Sequence, residues 1–113
     1  MGRYAVVNQT IINPVKTVYV AESKDSVKDY IIKVFGKDAP KAFKLLECEN
    51  RSLDPNAVSK TNDYGLFQIS AYWQQVQPKF LLNPYVNTLI AHQLYVENGN
   101  SFKLWSCGKM LKI

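Results

Sequence analysis

The sequence predicts a mostly helical α+β domain with a very short β region, on two observations. Three segments repeat apolar residues with the helical period, and each is bounded by residues that start or stop helices. Between the second and third, a polar turn at Lys60-Thr61-Asn62-Asp63 leads into a short apolar run, Gly65-Leu66-Phe67-Gln68-Ile69, which reads as a buried strand. A chain of 113 residues with 47% hydrophobic content suits one globular domain with one modest core.

Residues 1–22 come first and are rich in Val and Ile, so they read as an irregular or strand-like extension. Asn8, Gln9, Thr10, Asn13 and Pro14 interrupt this stretch and make it a poor signal peptide. Ser26, with Asp29 three residues on, is expected to cap the first helix. Val27, Tyr30, Ile31, Val34 and Phe35 then share one helical face, and Gly36 is the expected stop. Asp38 is expected to cap a second helix, with Pro40 in its first turn. Residues 50–59 form a loop rich in turn formers, anchored by Leu53, Ala57 and Val58. Tyr72 and Trp73 are expected to open a short helix ending near Pro78. Asn83 caps the third clear helix, with Pro84 at its first position and Gly99 at its end. Val86, Leu89, Ile90 and Leu94 are expected on its core side.

The second helix carries the main functional inference. Ala42, Leu45, Leu46 and Glu49 stand at i, i+3, i+4 and i+7, so Glu49 projects from an apolar stripe. Glu47 lies about 200° round the helix and faces solvent. Burial and the negative end of the helix dipole both raise the pKa of Glu49, which suits a general acid near neutral pH. The alternative is a frayed helix end with Glu49 in water. A Gln in an apolar run, such as Gln68, hydrogen-bonds backbone, either structurally or in a ligand groove.

Composition narrows the rest. The net charge of +5 favours an anionic partner or surface, but the bases are dispersed, and no motif or basic run supports nucleic-acid binding. No stretch is apolar for the ~18 residues of a membrane span. His92 is the sole histidine and has no Cys or carboxylate at ligand spacing, so no metal is expected. Serine elbow, phosphate loop and dinucleotide fingerprint are all missing from the sequence, and no cofactor is expected.

Glu49-Asn50, Asp54-Pro55-Asn56-Ala57-Val58-Ser59 and Gly65-Leu66-Phe67-Gln68-Ile69 together resemble the lysozyme-like superfamily. They are most similar to soluble lytic transglycosylase domains, where Glu-Ser precedes Asn-Pro-x-Ala-x-Ser and Gly-Leu-Met-Gln-Ile. Asp63-Tyr64-Gly65 resembles instead the animal-type lysozymes, in which this Asp is the second catalytic carboxylate. Pro84 and Asn87 resemble the Pro-x-x-Asn opening of a later helix. Cys48 before Glu49, with Trp105-Ser106-Cys107 near the end, resembles the bacterial resuscitation-promoting domains. The chain departs from these patterns in Asn50, which replaces Ser, in one extra residue before Asp54-Pro55, and in lacking Tyr-Asn-Ala-Gly near the end.

The resemblance covers residues 25–107 and implies an extension, 1–22, followed by a lysozyme-like catalytic domain, 23–113. It implies cleavage of the β-1,4 bond between N-acetylmuramic acid and N-acetylglucosamine in peptidoglycan, with Glu49 as acid and then base. Glycan strands are then the partner, and a monomer in the periplasm, in the cell wall or outside the cell is expected. Asp63 is expected to assist rather than to be indispensable, because the short turn leaves little structure to hold a nucleophile. Tyr64, Gln68 and Trp105 are candidates for the sugar groove, although Tyr64 has an alternative as a brace of the turn and Trp105 as core. The resemblance also implies a Cys48–Cys107 disulfide; two free thiols in a reducing compartment are the alternative. The departures leave open a catalytically inactive wall-binding or assembly module of the same fold.

Overall fold

The computed structural model describes residues 23–71 and 76–113. The expected extension over 1–22, together with Tyr72 and Trp73, lies outside them. The described chain is mostly helical, with one two-stranded antiparallel sheet. Helix α1 spans Lys24–Phe35 and buries Val27, Ile31 and Phe35. It starts before Ser26, because Ser23 is the cap: the Ser23 Oγ accepts from the Ser26 N–H at 3.2 Å. Gly36 ends the helix at φ 56°, a conformation that costs glycine little.

A 3₁₀ turn, Gly36–Asp38, leads into α2, Ala39–Glu49. Asp38 occupies the cap position without a capping bond, and its carboxylate instead pairs with Lys37 at 3.2 Å. Pro40 sits in the first turn, where its missing N–H costs no hydrogen bond. Ala39, Ala42, Leu45 and Leu46 form its buried stripe.

The segment expected as a buried strand is a turn instead. Strand β1, Asp63–Tyr64, pairs with β2, Ile69–Ser70, in the register Asp63 to Ser70 and Tyr64 to Ile69. Gly65 (φ 77°) and Gln68 (φ 53°) break the extended backbone between them. Leu66, Phe67 and Ile69 are nevertheless buried, so the apolar content reported the core and not a strand.

Helix α3 is a single turn, Pro78–Leu81, so Pro78 begins this helix where an end was expected. Helix α4, Pro84–Glu97, is capped by Asn83, whose side chain accepts from the N–H groups of Tyr85 and Val86. Its buried face is Pro84, Asn87, Thr88, Ala91 and Tyr95. The expected face is therefore displaced: Leu89 is 50% exposed, and Val86, Ile90 and Leu94 are only partly covered. The cause is polar. Asn87 and Thr88 are buried because each satisfies backbone groups, Thr88 donating to the Pro84 carbonyl at 2.7 Å. Helix α5, Ser106–Leu111, closes the chain.

One apolar cluster joins α1, α2, the Leu66–Ile69 turn, Leu81, α4, Phe102 and Trp105. Phe35 lies at its centre, with ring contacts to Phe67, His92, Tyr95 and Phe102. No described helix is long and apolar enough to cross a membrane.

Gly65 is the tightest point between the sheet and the helices. A Cβ there would run into the Leu81 carbonyl oxygen and come within 2.6 Å of Asn87 Nδ2. Gly65→Ala combines this collision with a positive φ, and we expect it to cost about 3 kcal/mol. A urea titration reads this as a lower midpoint at unchanged slope.

Candidate active site

Glu49 is the last residue of α2 and extends its apolar stripe to the helix end. It is half-buried, while Glu47 is exposed. The chain leaves the helix at Asn50, which is itself buried and holds the following loop. Asn50 Nδ2 donates to the carbonyls of Asp54 at 2.9 Å and Leu66 at 3.1 Å. Its Oδ1 accepts from the Asp54 N–H at 3.2 Å. The residue that departs from the transglycosylase pattern thus ties the end of α2 to the loop and to the hairpin. Its signal in the sequence was an Asn immediately after a helix end, followed by turn formers.

Asn87 does the same from the other side. Its Oδ1 accepts from the Phe67 N–H at 2.7 Å, and its Nδ2 donates to the carbonyls of Tyr64 and Leu81, both at 2.9 Å. These bonds fix the hairpin against α4, and with it the position of Asp63.

A disulfide joins Cys48 to Cys107, with Cα atoms 6.0 Å apart. It holds the start of α5 against the end of α2. The Cys107 N–H consequently reaches Glu49 Oε2 at 3.2 Å. Among the described residues Glu49 Oε1 takes no hydrogen bond.

An open cleft of about 660 Å³ runs past these groups. Glu49, Thr61, Asp63, Gln68 and Ser70 give it polar walls, and Ile69, Leu94, Leu104 and Trp105 give it apolar ones. The fold therefore brings four of the expected site residues to one place: Glu49, Asp63, Gln68 and Trp105. Tyr64 is not among the lining residues; it is half-buried in β1 and bridges to Val58. Gln68 lines the cleft while its Nε2 donates to the carbonyls of Ala57 at 3.2 Å and Gly65 at 2.9 Å. Trp105 is 6% exposed, and its indole N–H is spent on the Phe67 carbonyl at 2.6 Å. It offers the cleft an apolar surface. Leu94 and Leu104 reach the site from distant segments, and no local pattern pointed to them.

The electrostatics single out Glu49. Burial raises its carboxyl pKa above the ordinary value of 4.5; the Cys107 N–H opposes this, and the negative charge of Asp63 adds to the rise. A carboxyl that holds its proton to higher pH, beside a second carboxyl on the same cleft, is equipped to protonate a leaving oxygen.

No protein-family model matches the chain, and no curated protein or solved structure matches it either.

Proposed function

We propose that the chain is a muramidase of lysozyme-like fold. It cuts the β-1,4 bond between N-acetylmuramic acid and N-acetylglucosamine in peptidoglycan, as a lysozyme or a lytic transglycosylase. The observation that carries this reading is the half-buried Glu49, its carboxyl pKa raised by burial, on an open cleft that also holds Asp63. The mixed wall suits a glycan, whose sugars present hydroxyl edges and apolar ring faces. The +5 charge favours an anionic wall, and the disulfide suits the oxidising environment outside the cytoplasm.

Glu49 acts twice. Its Oε2 already accepts the Cys107 N–H, which leaves Oε1 as the oxygen that carries the donated proton in this reading. That proton passes to the leaving glycosidic oxygen as the bond to the muramic acid carbon breaks. The Cys107 N–H then steadies the carboxylate that is left. This carboxylate takes a proton from the incoming nucleophile: water in hydrolysis, or the sugar's own 6-hydroxyl in formation of an anhydro end. Asp63 opposes the positive charge that develops on the ring.

Loss of turbidity in a suspension of purified sacculi tests the proposal. Sacculi that bind the protein and keep their turbidity would favour the wall-binding module instead. The pH profile gives a second test. Activity needs protonated Glu49, so it falls as pH rises through the elevated folded pKa. Asp63→Asn removes one cause of that elevation, so the descending limb is expected to move to lower pH. An unmoved limb, or one moved upward, would contradict the electrostatic pairing of the two residues.

A further inference from the structure

The turn from Ser59 to Asp63 closes without the Asp63 side chain. The Ser59 N–H donates to the Asp63 carbonyl at 3.0 Å, and the Asn62 N–H to the Ser59 carbonyl at 3.1 Å. Ser59 Oγ accepts the N–H groups of Thr61 at 3.3 Å and Asp63 at 3.1 Å. Yet two hydroxyls converge on one carboxylate oxygen. Thr61 Oγ1 donates to Asp63 Oδ2 at 2.7 Å and Ser59 Oγ donates to the same atom at 3.1 Å, the two hydroxyls being 3.0 Å apart. Among the described residues Oδ1 takes no hydrogen bond. A carboxylate gripped through one oxygen loses its rotational freedom and keeps the other oxygen available. Asp63 and Thr61 line the cleft; Ser59 does not.

We propose that Ser59 and Thr61 are positioning residues, whose paired hydroxyls hold Asp63 so that its free oxygen opposes the positive charge developing on the sugar ring. This rests on the muramidase reading and adds what the short turn was expected to lack, a device that fixes the carboxylate.

The test is a double-mutant cycle on the rate of glycan cleavage at saturating soluble peptidoglycan fragments. Asp63→Asn is expected to slow cleavage about a hundredfold. Thr61→Val, which removes only the hydroxyl, is expected to lower kcat about tenfold with little change in KM. Thr61→Ser, which keeps the hydroxyl, restores the rate. In the Asp63→Asn background Thr61→Val costs less than about twofold, since no charge remains to be placed. Ser59→Ala in the same cycle gives an independent result from a residue outside the cleft. Equal losses in both backgrounds, an unchanged rate for Thr61→Val, or no restoration by Thr61→Ser would overturn the assignment. Loss of folding in both Thr61→Val and Ser59→Ala would overturn it too, by assigning the hydroxyls to the turn. An active parent protein that is indifferent to Thr61→Val removes only this inference, whereas a parent protein inactive on every peptidoglycan preparation removes the muramidase reading with it.

Discussion

Glu49→Gln is expected to reduce glycan cleavage by about 10³-fold or more while leaving the fold intact. The amide cannot donate a proton to the leaving oxygen as an acid does. It can still accept the Cys107 N–H that now reaches Oε2 at 3.2 Å, and it fills the same space at the end of α2. An amide is also cheaper to bury than a carboxylate, so the melting temperature should hold or rise slightly. Glu47→Gln is the matched control. It makes the same acid-to-amide change on the same helix at an exposed position and should change the rate less than about twofold. Loss of activity in Glu47→Gln with retention in Glu49→Gln would refute the helical-face argument.

Removal of the disulfide ranks second in expected effect. Cys48 and Cys107 are separated by 59 residues, and freeing a loop of that length costs about 4 kcal/mol on the chain-entropy estimate. That is a large part of the stability of a domain this size. Urea titrations of the oxidised protein and of the Cys48→Ser, Cys107→Ser pair should differ by about this amount. Cleavage should fall as well, because the bridge is what brings the Cys107 N–H to Glu49. Two freely alkylatable thiols in protein folded under oxidising conditions would contradict the bridge. Equal stability of the two proteins would show that it contributes nothing to folding.

The parts of this molecule that were legible in the sequence are those governed by local periodicity and caps. The stripe Ala42, Leu45, Leu46 marked the buried face of α2, and Glu49 and Glu47 fell on opposite sides of its edge. Gly36 and Asn83 marked helix ends by chemistry that acts within a few residues. Legibility failed where polar side chains do tertiary work. On α4 a count of apolar residues favoured Leu89 and Ile90, but the core side is built around Asn87 and Thr88, whose burial depends on carbonyl and N–H partners they meet only in the fold. The Gly65–Ile69 run was apolar because it is buried. Its positive φ angles at Gly65 and Gln68 go with tertiary surroundings that no local pattern encodes: no room for a Cβ at Gly65 beside Leu81 and Asn87, and the bonds of Gln68 to Ala57 and Gly65. At the site, Glu49 and Asp63 stood out by chemical type, whereas Asn50 was read as a departure and is a staple. Leu94 and Leu104 belong to the cleft through topology alone, whereas Thr61 enters it on the same turn as Asp63.

Mass spectrometry of the fragments released from purified peptidoglycan tests the central claim most directly. The parent protein is expected to release disaccharide-peptides ending in N-acetylmuramic acid, with a reducing or a 1,6-anhydro end, and Glu49→Gln none. Fragments ending in N-acetylglucosamine, fragments cut only in the peptides, undiminished release by folded Glu49→Gln, or no release by folded, disulfide-bonded parent protein would contradict it.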